Sequence, residues 1–292
     1  MYLAKPHTTA TTAPPLGLAR IEVRHFGRGE PYSAEFLDYF QDLSGQFGQP
    51  YHPDYFAQAA PNSFTAMASE ILSAATPPDE TYDLAVIAHT TPDAKPTRPA
   101  CYLAQALSGD TLSFALSEQG VTAPFTALQL TREYARDSSF RRGLVMILDQ
   151  SFLWNGASAQ PPRGTRMPGR DAAVVLILEP AGALGPVTTL NLADVGPAEA
   201  RELVDAHLHE AAATGIPTTT IAGAGVDTRA GDGEQLYWAA ADLPCAGLWT
   251  AFAERLPQWQ RTGQRVELID YDPVLRYLSL CTIEVPGGST ES

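Results

Sequence analysis

The sequence has little cysteine, few basic residues and no long hydrophobic run. Its 292 residues include three cysteines, 19 Lys and Arg against 33 Asp and Glu, and a formal net charge of -14. The cysteines lie far apart without a C-x-x-C pair, so the sequence predicts no disulfide framework, no structural zinc site and no other metal. Because an acidic chain repels polyphosphates, nucleic acid and anionic membrane are excluded as partners.

Membrane and export signals are also missing from the sequence. No stretch reaches about 18 consecutive apolar residues, and residues 1–17 lack the apolar run of a secretory signal. We therefore expect a cytoplasmic protein. Residues 1–17 are rich in Thr, Ala and Pro and residues 286–292 in Gly and Ser, so we expect a disordered arm and a flexible tail at the two ends.

Strand and helix patterns alternate along the rest of the chain. The continuous apolar runs at residues 82–90 and 141–151 are typical of strands covered on both faces. The spacing of apolar residues at 63–75 and 197–215 predicts amphipathic helices. Strands and helices in alternation predict a layered α/β protein.

Each half of the chain is expected to close with a pair of strands. Residues 170–180 and 185–195 are predicted to form an antiparallel pair across a glycine-containing turn, and residues 265–285 a hairpin around Asp272-Pro273. This pattern indicates a loose internal duplication, with one half at 18–180 and the other at 181–285.

A doubly wound nucleotide-binding fold is the alternative. Its fingerprint, G-x-G-x-x-G between a strand and a helix, is poorly matched by IAGAGVDTRAG at residues 221–231. Two glycines have a suitable spacing there, but polar loop residues follow them. We therefore favour the duplicated, layered arrangement.

Three segments in this order, YDLAVIAHTTPD, LSFALSEQGVTAPFTALQLTREY and RRGLVMILDQS, carry a family resemblance. Together with GRDAAVVLILEP they resemble the N-terminal half of ketoacyl-ACP synthase III-like proteins of the thiolase superfamily. The resemblance covers most of residues 18–285. It implies an α/β thiolase-like fold of α-β-α-β-α layers with two duplicated halves.

The family's nucleophile falls on an apolar position of this chain. In the family, the strand resembling LSFALS leads through a tight turn into a buried helix that begins with the acyl-accepting cysteine. A thiol at a helix N-terminus has a lowered pKa, which favours the nucleophilic thiolate. Alignment of the turn places Val121 on the cysteine position, and a shift of one residue places Gly120 there. Neither residue can form a thioester.

The family's histidine and asparagine also have no counterpart in the sequence. The strand where the histidine is expected ends in Ala222, Gly223 and Ala224, and the last histidine of the chain is His209. In the family, this pair polarises the thioester carbonyl through hydrogen bonds. By the family pattern, the chain therefore has no catalytic residues.

Two other side chains are candidates for a general base. His89 ends a predicted strand and could face a pocket near the same turn, although a hydrogen-bonded interface residue is the favoured interpretation. Asp149 ends another strand, where Asp commonly caps a turn. For each of them the structural role is preferred.

Five residues are candidates for binding an acyl thioester. Phe125, Phe152 and Trp154 could line an acyl tunnel or pack in the core. Arg163 and Arg166 belong to the densest basic cluster and could meet the phosphate of phosphopantetheine, an acidic carrier protein or coenzyme A. They could equally balance acidic groups at the surface.

The resemblance implies a dimer and no cofactor other than a bound acyl-CoA or phosphopantetheine-linked thioester. Our leading hypothesis is a non-catalytic, chain-length-factor-like subunit that pairs with an active ketosynthase in specialised-metabolite biosynthesis. The alternative is a homodimeric acyltransferase or cyclase that needs no cysteine, with His89 or Asp149 as base. A third hypothesis is a scaffold for acyl carrier proteins.

Overall fold

The computed structural model describes residues 15–77, 79–153, 164–228 and 235–288. Ten strands lie in these ranges: β1 Leu16–Phe26, β2 Leu84–His89, β3 Leu112–Leu116, β4 Gly143–Asp149, β5 Asp171–Pro180, β6 Val187–Leu192, β7 Thr218–Ala222, β8 Gln235–Trp238, β9 Gln264–Asp272 and β10 Tyr277–Val285. The helices are α1 Ala34–Gln46, α2 Pro53–Gln58, α3 Phe64–Ala75, α4 Pro99–Ala106, α5 Ala123–Tyr134, α6 Pro197–Ala213 and α7 Gly247–Thr262. None of these helices has the length and apolarity needed to cross a bilayer.

The strands form two five-stranded sheets with the same topology. The first has the order β1-β5-β4-β2-β3 and the second β6-β10-β9-β7-β8, so each strand of the second sheet corresponds to the strand five places earlier. In both sheets the last three strands of this order are parallel and the first two run antiparallel to their neighbours. The predicted duplication is therefore confirmed.

Helices cover both faces of each sheet and create five layers. One core lies between the sheets, where α5 and α7 pack against Val86, Val145 and Leu268. A second core joins the opposite face of the first sheet to α3 and α4. A third joins the opposite face of the second sheet to α6. This α-β-α-β-α order confirms the predicted layers.

Local signals explain where the predicted helices begin and end. The hydroxyl of Ser63 accepts a hydrogen bond from the backbone N–H of Ala66 at 3.1 Å and caps α3, which ends before Pro77. Pro197 begins α6, and Gly215, with a φ of 71°, follows its end. These elements lie where the apolar spacing places them.

One predicted pairing is wrong. The strands β5 and β6 were expected to pair with each other, but β5 lies between β1 and β4, and β6 pairs with β10. The segment between them carries the chain from one sheet to the other, so its glycine-containing turn closes no hairpin. The hairpin of β9 and β10 is confirmed. The structure also adds α2 and β8, and β1 begins at Leu16, two residues before the expected start of the folded part.

Residues 27–62 form a separate small cap beside the end of β1. They include α1 and α2 and bury Tyr32, Phe40 and Phe56 in an aromatic cluster that Phe152 joins. We call residues 27–62 the aromatic cap. It borders the edge of the first sheet where β2 and β4 have their carboxyl ends.

Candidate functional site

The turn after β3 has the tight geometry that the sequence indicated. Glu118 and Gly120 have positive φ values of 60° and 52°, and a single 3-10 turn, Gly120–Thr122, leads into α5. Val121 is buried in this turn. A Cβ atom on Gly120 would lie 1.9 Å from Oδ2 of Asp272, so a side chain here would have to displace that carboxylate and would also be strained by the positive φ. The apolar side chain of Val121 is therefore buried at the start of the central helix α5.

Cys245 lies beside this turn at the equivalent place in the second half. It stands two residues before α7 as Val121 stands two residues before α5, and α7 follows β8 as α5 follows β3. The thiol Sγ of Cys245 is 3.8 Å from the carbonyl oxygen of Gly120. The starts of the two central helices therefore meet. Sequence spacing gives no sign of this position of Cys245, which only the duplicated topology reveals.

The Cys245 thiol is not activated. Burial, followed by the nearby carboxylate of Asp149, raises its pKa well above the usual value, although Arg166 opposes the shift. The nucleophilic form of cysteine is the thiolate. At neutral pH this side chain is therefore a thiol and a poor nucleophile.

Asp149 ends β4 and is fully buried against the start of α7. Its carboxylate accepts hydrogen bonds from the backbone N–H groups of Ala246 at 2.7 Å and Cys245 at 3.0 Å. Burial raises the pKa of Asp149 to about 7, while these two N–H groups act in the opposite direction. The carboxylate thus lies at the positive end of the dipole of α7, 96 residues further along the chain, and not at the local turn that the sequence favoured.

Asp270 occupies the space beside Gly223, one of the positions where the family resemblance places a histidine. A Cβ atom on Gly223 would lie 2.1 Å from Oδ1 of Asp270. Arg166 forms a salt bridge to the same oxygen at 2.5 Å. Burial raises the pKa of Asp270 to about 6, and Arg166 opposes this rise.

The predicted role of Arg166 therefore needs correction. We considered it for contact with a phosphate or an acidic carrier, but its side chain is only 15% exposed and its charge is paired with Asp270 inside the protein. The sequence could not show this pairing, because 104 residues separate the two partners.

Asp272 completes a group of carboxyl groups around Cys245. Its Oδ1 accepts hydrogen bonds from the backbone N–H groups of Val274 and Leu275, both at 2.9 Å, and its Oδ2 faces Gly120. The charges of Asp149, Asp270, Asp272 and Arg166 all act on the Cys245 thiol. We call Asp149, Asp270, Asp272 and Arg166 the carboxyl cluster. These side chains fill the space around Cys245, and each has a hydrogen-bond partner. Among the described residues, no group of three His, Cys, Asp or Glu side chains could hold a metal ion.

His89 lies on the other face of the first sheet. Its ring is 4.9 Å from the ring of Phe64 in α3, and its Nδ1 is 2.7 Å from the carbonyl oxygen of Thr91. Burial lowers the pKa of His89. The structure therefore does not bring His89 to the turn of Val121, contrary to the pocket position considered from the sequence.

The predicted acyl-binding residues lie in different places. Phe125 packs in the core between the sheets, with its ring 5.9 Å from that of Trp249. Phe152 stacks on Tyr55 at 5.0 Å and lines a cavity of about 500 Å³ next to the aromatic cap. Trp154 and Arg163 lie outside the described residues. The described members thus form no common tunnel wall.

Two sheets of identical strand order, with two central helices that begin at one shared site, define a thiolase-like fold. No family model and no curated protein matches the chain. Solved structures do match. The acyltransferase ChlB3 is 17% identical with a TM-score of 0.60, and the match covers 96% of this chain and 100% of that one.

Two further structures agree with this fold. The 3-oxoacyl-(acyl carrier protein) synthase III, FabH, from Pseudomonas aeruginosa PAO1 is 16% identical with a TM-score of 0.57, and the match covers 93% of this chain and 98% of that one. An HMG-CoA synthase complexed with CoA is 10% identical with a TM-score of 0.60 over 94% and 83% of the two chains. At these identities the likeness establishes the fold.

Proposed function

We propose that this chain is a non-catalytic ketosynthase-like subunit. In this proposal it pairs in the cytoplasm with an active ketosynthase and shapes the acyl pocket of that enzyme in polyketide or fatty-acid-like biosynthesis. The observation that carries the proposal is the buried Val121 at the start of α5. The family that this chain resembles has its acyl-accepting cysteine at this position.

The surrounding chemistry supports this interpretation. A condensing enzyme needs a thiolate and hydrogen-bond donors aimed at the thioester oxygen. Here the neighbouring thiol of Cys245 has a raised pKa, and Asp270 occupies the space beside Gly223. The carboxyl cluster offers acceptors where developing negative charge would need donors. Catalysis in this proposal is therefore left to the partner subunit.

The exposed edge of the first sheet supports the pairing. The strand β3 pairs with β2 on one side, and no strand of the described residues pairs with its other side. Leu112 on this strand is 46% exposed. An apolar edge strand promotes aggregation unless another chain covers it. An edge-to-edge dimer through β3, with a ketosynthase or with a second copy of this chain, would cover it.

In this proposal, the partner subunit, and not this chain, binds the acyl thioester and the acyl carrier protein. The net charge of -14 disfavours direct docking of an acidic acyl carrier protein, and Arg166 is occupied by Asp270. We therefore place the phosphopantetheine-linked or CoA-linked thioester in the partner's site, with this chain forming part of the wall.

Co-purification tests the pairing directly. The tagged chain, purified from its native host, is expected to retain a second thiolase-fold protein in a one-to-one complex, identified by mass spectrometry. Leu112→Lys introduces a charge at the β3 edge and should abolish the complex. Leu190→Lys is the matched control, because Leu190 is 47% exposed on the edge strand β6 of the other sheet. Equal retention by both variants, or a chain that only pairs with itself, would refute the heterodimer.

A second candidate function rests on His89. Its contact with the carbonyl oxygen of Thr91 favours the tautomer with a proton on Nδ1, which leaves Nε2 as a proton acceptor. With its lowered pKa, the imidazole is a neutral base. A cysteine-independent acyltransferase or cyclase would turn over an acyl-CoA unaided and lose this activity in His89→Ala. Without such turnover, a carrier-protein scaffold remains as the third hypothesis.

A further inference from the structure

The cavity lined by Phe152 lies apart from the carboxyl cluster and shares no lining residue with it. It measures about 500 Å³ and lies between the end of β1, the aromatic cap, the residues after β4 and the start of β5. A volume of this order suits a small organic ligand. Three half-buried aromatic residues, Phe26, Tyr55 and Phe152, line it among the described residues.

Hydrogen bonds hold the walls of this cavity in place. The hydroxyl of Tyr55 donates to the carbonyl oxygen of Leu153 at 2.8 Å, and the ring of Tyr55 stacks on Phe152. The side chain of Asn62 donates to the carbonyl oxygen of Gly27 at 2.7 Å, which anchors the chain after β1 to the aromatic cap. The cavity is therefore preformed, which reduces the entropy lost when a ligand binds.

Arg28, Arg170 and Asp171 are the Arg and Asp residues that line the cavity. Arg170 pairs with Asp242, whereas Arg28 and Asp171 have no ion-pair partner within the described part of the chain. Arg28 donates to the carbonyl oxygen of Gln58 at 2.8 Å, and no carboxylate of the described residues lies within salt-bridge distance of it. Asp171 is buried, and no cation in the described ranges pairs with it, since the adjacent Arg170 pairs with Asp242 at 2.6 Å. Both charges border the same aromatic walls.

Asp171 keeps capacity for one further hydrogen bond. Its Oδ1 accepts from the backbone N–H and the hydroxyl of Ser151, both at 2.7 Å, and its Oδ2 accepts from Asn62 at 2.8 Å. An ionised carboxylate has about four acceptor sites, so one of them is unused. An ammonium group could donate there, and a carboxylate could bind Arg28.

We propose that this cavity is a binding site for a small zwitterion with an apolar body, such as an aromatic amino acid. The aromatic walls contact the apolar body of the ligand. Arg28 binds the carboxylate of the ligand, and Asp171 binds its ammonium group. The site is separate from the proposed partner role, and it binds its ligand whether or not the chain pairs with a ketosynthase.

Three probes of the same size test the proposal on the full chain. L-phenylalanine carries both charges, 3-phenylpropanoate lacks the ammonium group and 2-phenylethylamine lacks the carboxylate. Isothermal titration at low salt should show phenylalanine binding roughly fivefold or more tightly than either analogue, because each charged contact adds affinity. If 3-phenylpropanoate binds as tightly as phenylalanine, or if no probe binds, the proposal is wrong.

Variants assign the two contacts. Arg28→Gln should weaken phenylalanine roughly fivefold and leave 2-phenylethylamine unchanged, whereas Asp171→Asn should weaken phenylalanine and leave 3-phenylpropanoate unchanged. Lys95→Gln is the control, because it removes a cation near the aromatic cap that does not line the cavity. Equal losses in Arg28→Gln and Lys95→Gln would contradict a specific contact. If Asp171→Asn does not fold, binding of the three probes to the unmodified chain still tests the proposed site.

Discussion

The carboxylate of Asp149 and the backbone N–H of Ala246, 2.7 Å apart, join the end of β4 in the first half to the start of α7 in the second. This hydrogen bond links the two halves of the duplicated fold beside the turn of Gly120. The same carboxylate also accepts from Cys245, which is adjacent to Ala246. An acidic group is thus used to hold a helix in place within the candidate site.

Asp149 should make stability depend on pH. Its pKa is about 7 in the folded chain, above the value of about 3.9 in an unfolded chain, so the folded state holds more protons between these values. Stability from this group is therefore greatest at low pH and falls as pH rises through 7. In urea unfolding, Asp149→Asn should gain stability relative to the wild type between pH 5 and pH 8. Parallel stability curves for the two proteins would contradict this assignment.

Val121→Cys should not create a condensing enzyme. The new thiol would be enclosed beside Gly120 and Cys245, where burial and the carboxyl cluster disfavour the thiolate. The family's histidine and asparagine would still be missing. Intact-protein mass spectrometry after incubation with acetyl-CoA should show no acyl adduct at position 121, and peptide mapping separates this site from Cys245. Robust condensing activity of the isolated variant would overturn the non-catalytic interpretation.

Gly120→Ala should destabilise the protein by roughly 3 kcal/mol. The positive φ of 52° strains any side chain, and the added Cβ would displace the Asp272 carboxylate that caps the β9–β10 turn. Gly48→Ala is the matched control, because Gly48 has a φ of 62° with open space around it, and it should cost about 1 kcal/mol. Equal losses in denaturant unfolding would show that the contact with Asp272 is unimportant.

Arg166→Gln should cost about 3 kcal/mol, because it leaves Asp270 buried without its cation. The double variant Arg166→Gln with Asp270→Asn should recover part of this loss. Arg170→Gln breaks the exposed ion pair with Asp242, so it should cost less than about 1 kcal/mol. Chemical unfolding of the four proteins measures these differences. A surface role for Arg166 would instead make the two single arginine variants equivalent.

The amino-acid sequence by itself determined most elements of the fold. Period-3.6 spacing and continuous apolar runs are local properties, so α3, α6 and the buried strands β2 and β4 lie where the patterns predict them. The turn at Gly120 and the hairpin at Asp272-Pro273 carry local signals as well. The short elements α2 and β8, of six and four residues, have too few positions to show a period.

The tertiary structure alone decided which distant residues meet. Cys245 beside Gly120, Arg166 on Asp270 and the separation of β5 from β6 all depend on the order of strands in two sheets. The same is true of Arg28 and Asp171, which line one cavity because β1 lies next to β5. Contacts between residues far apart in the chain follow from topology and burial. The local spacing of apolar residues carries no information about either.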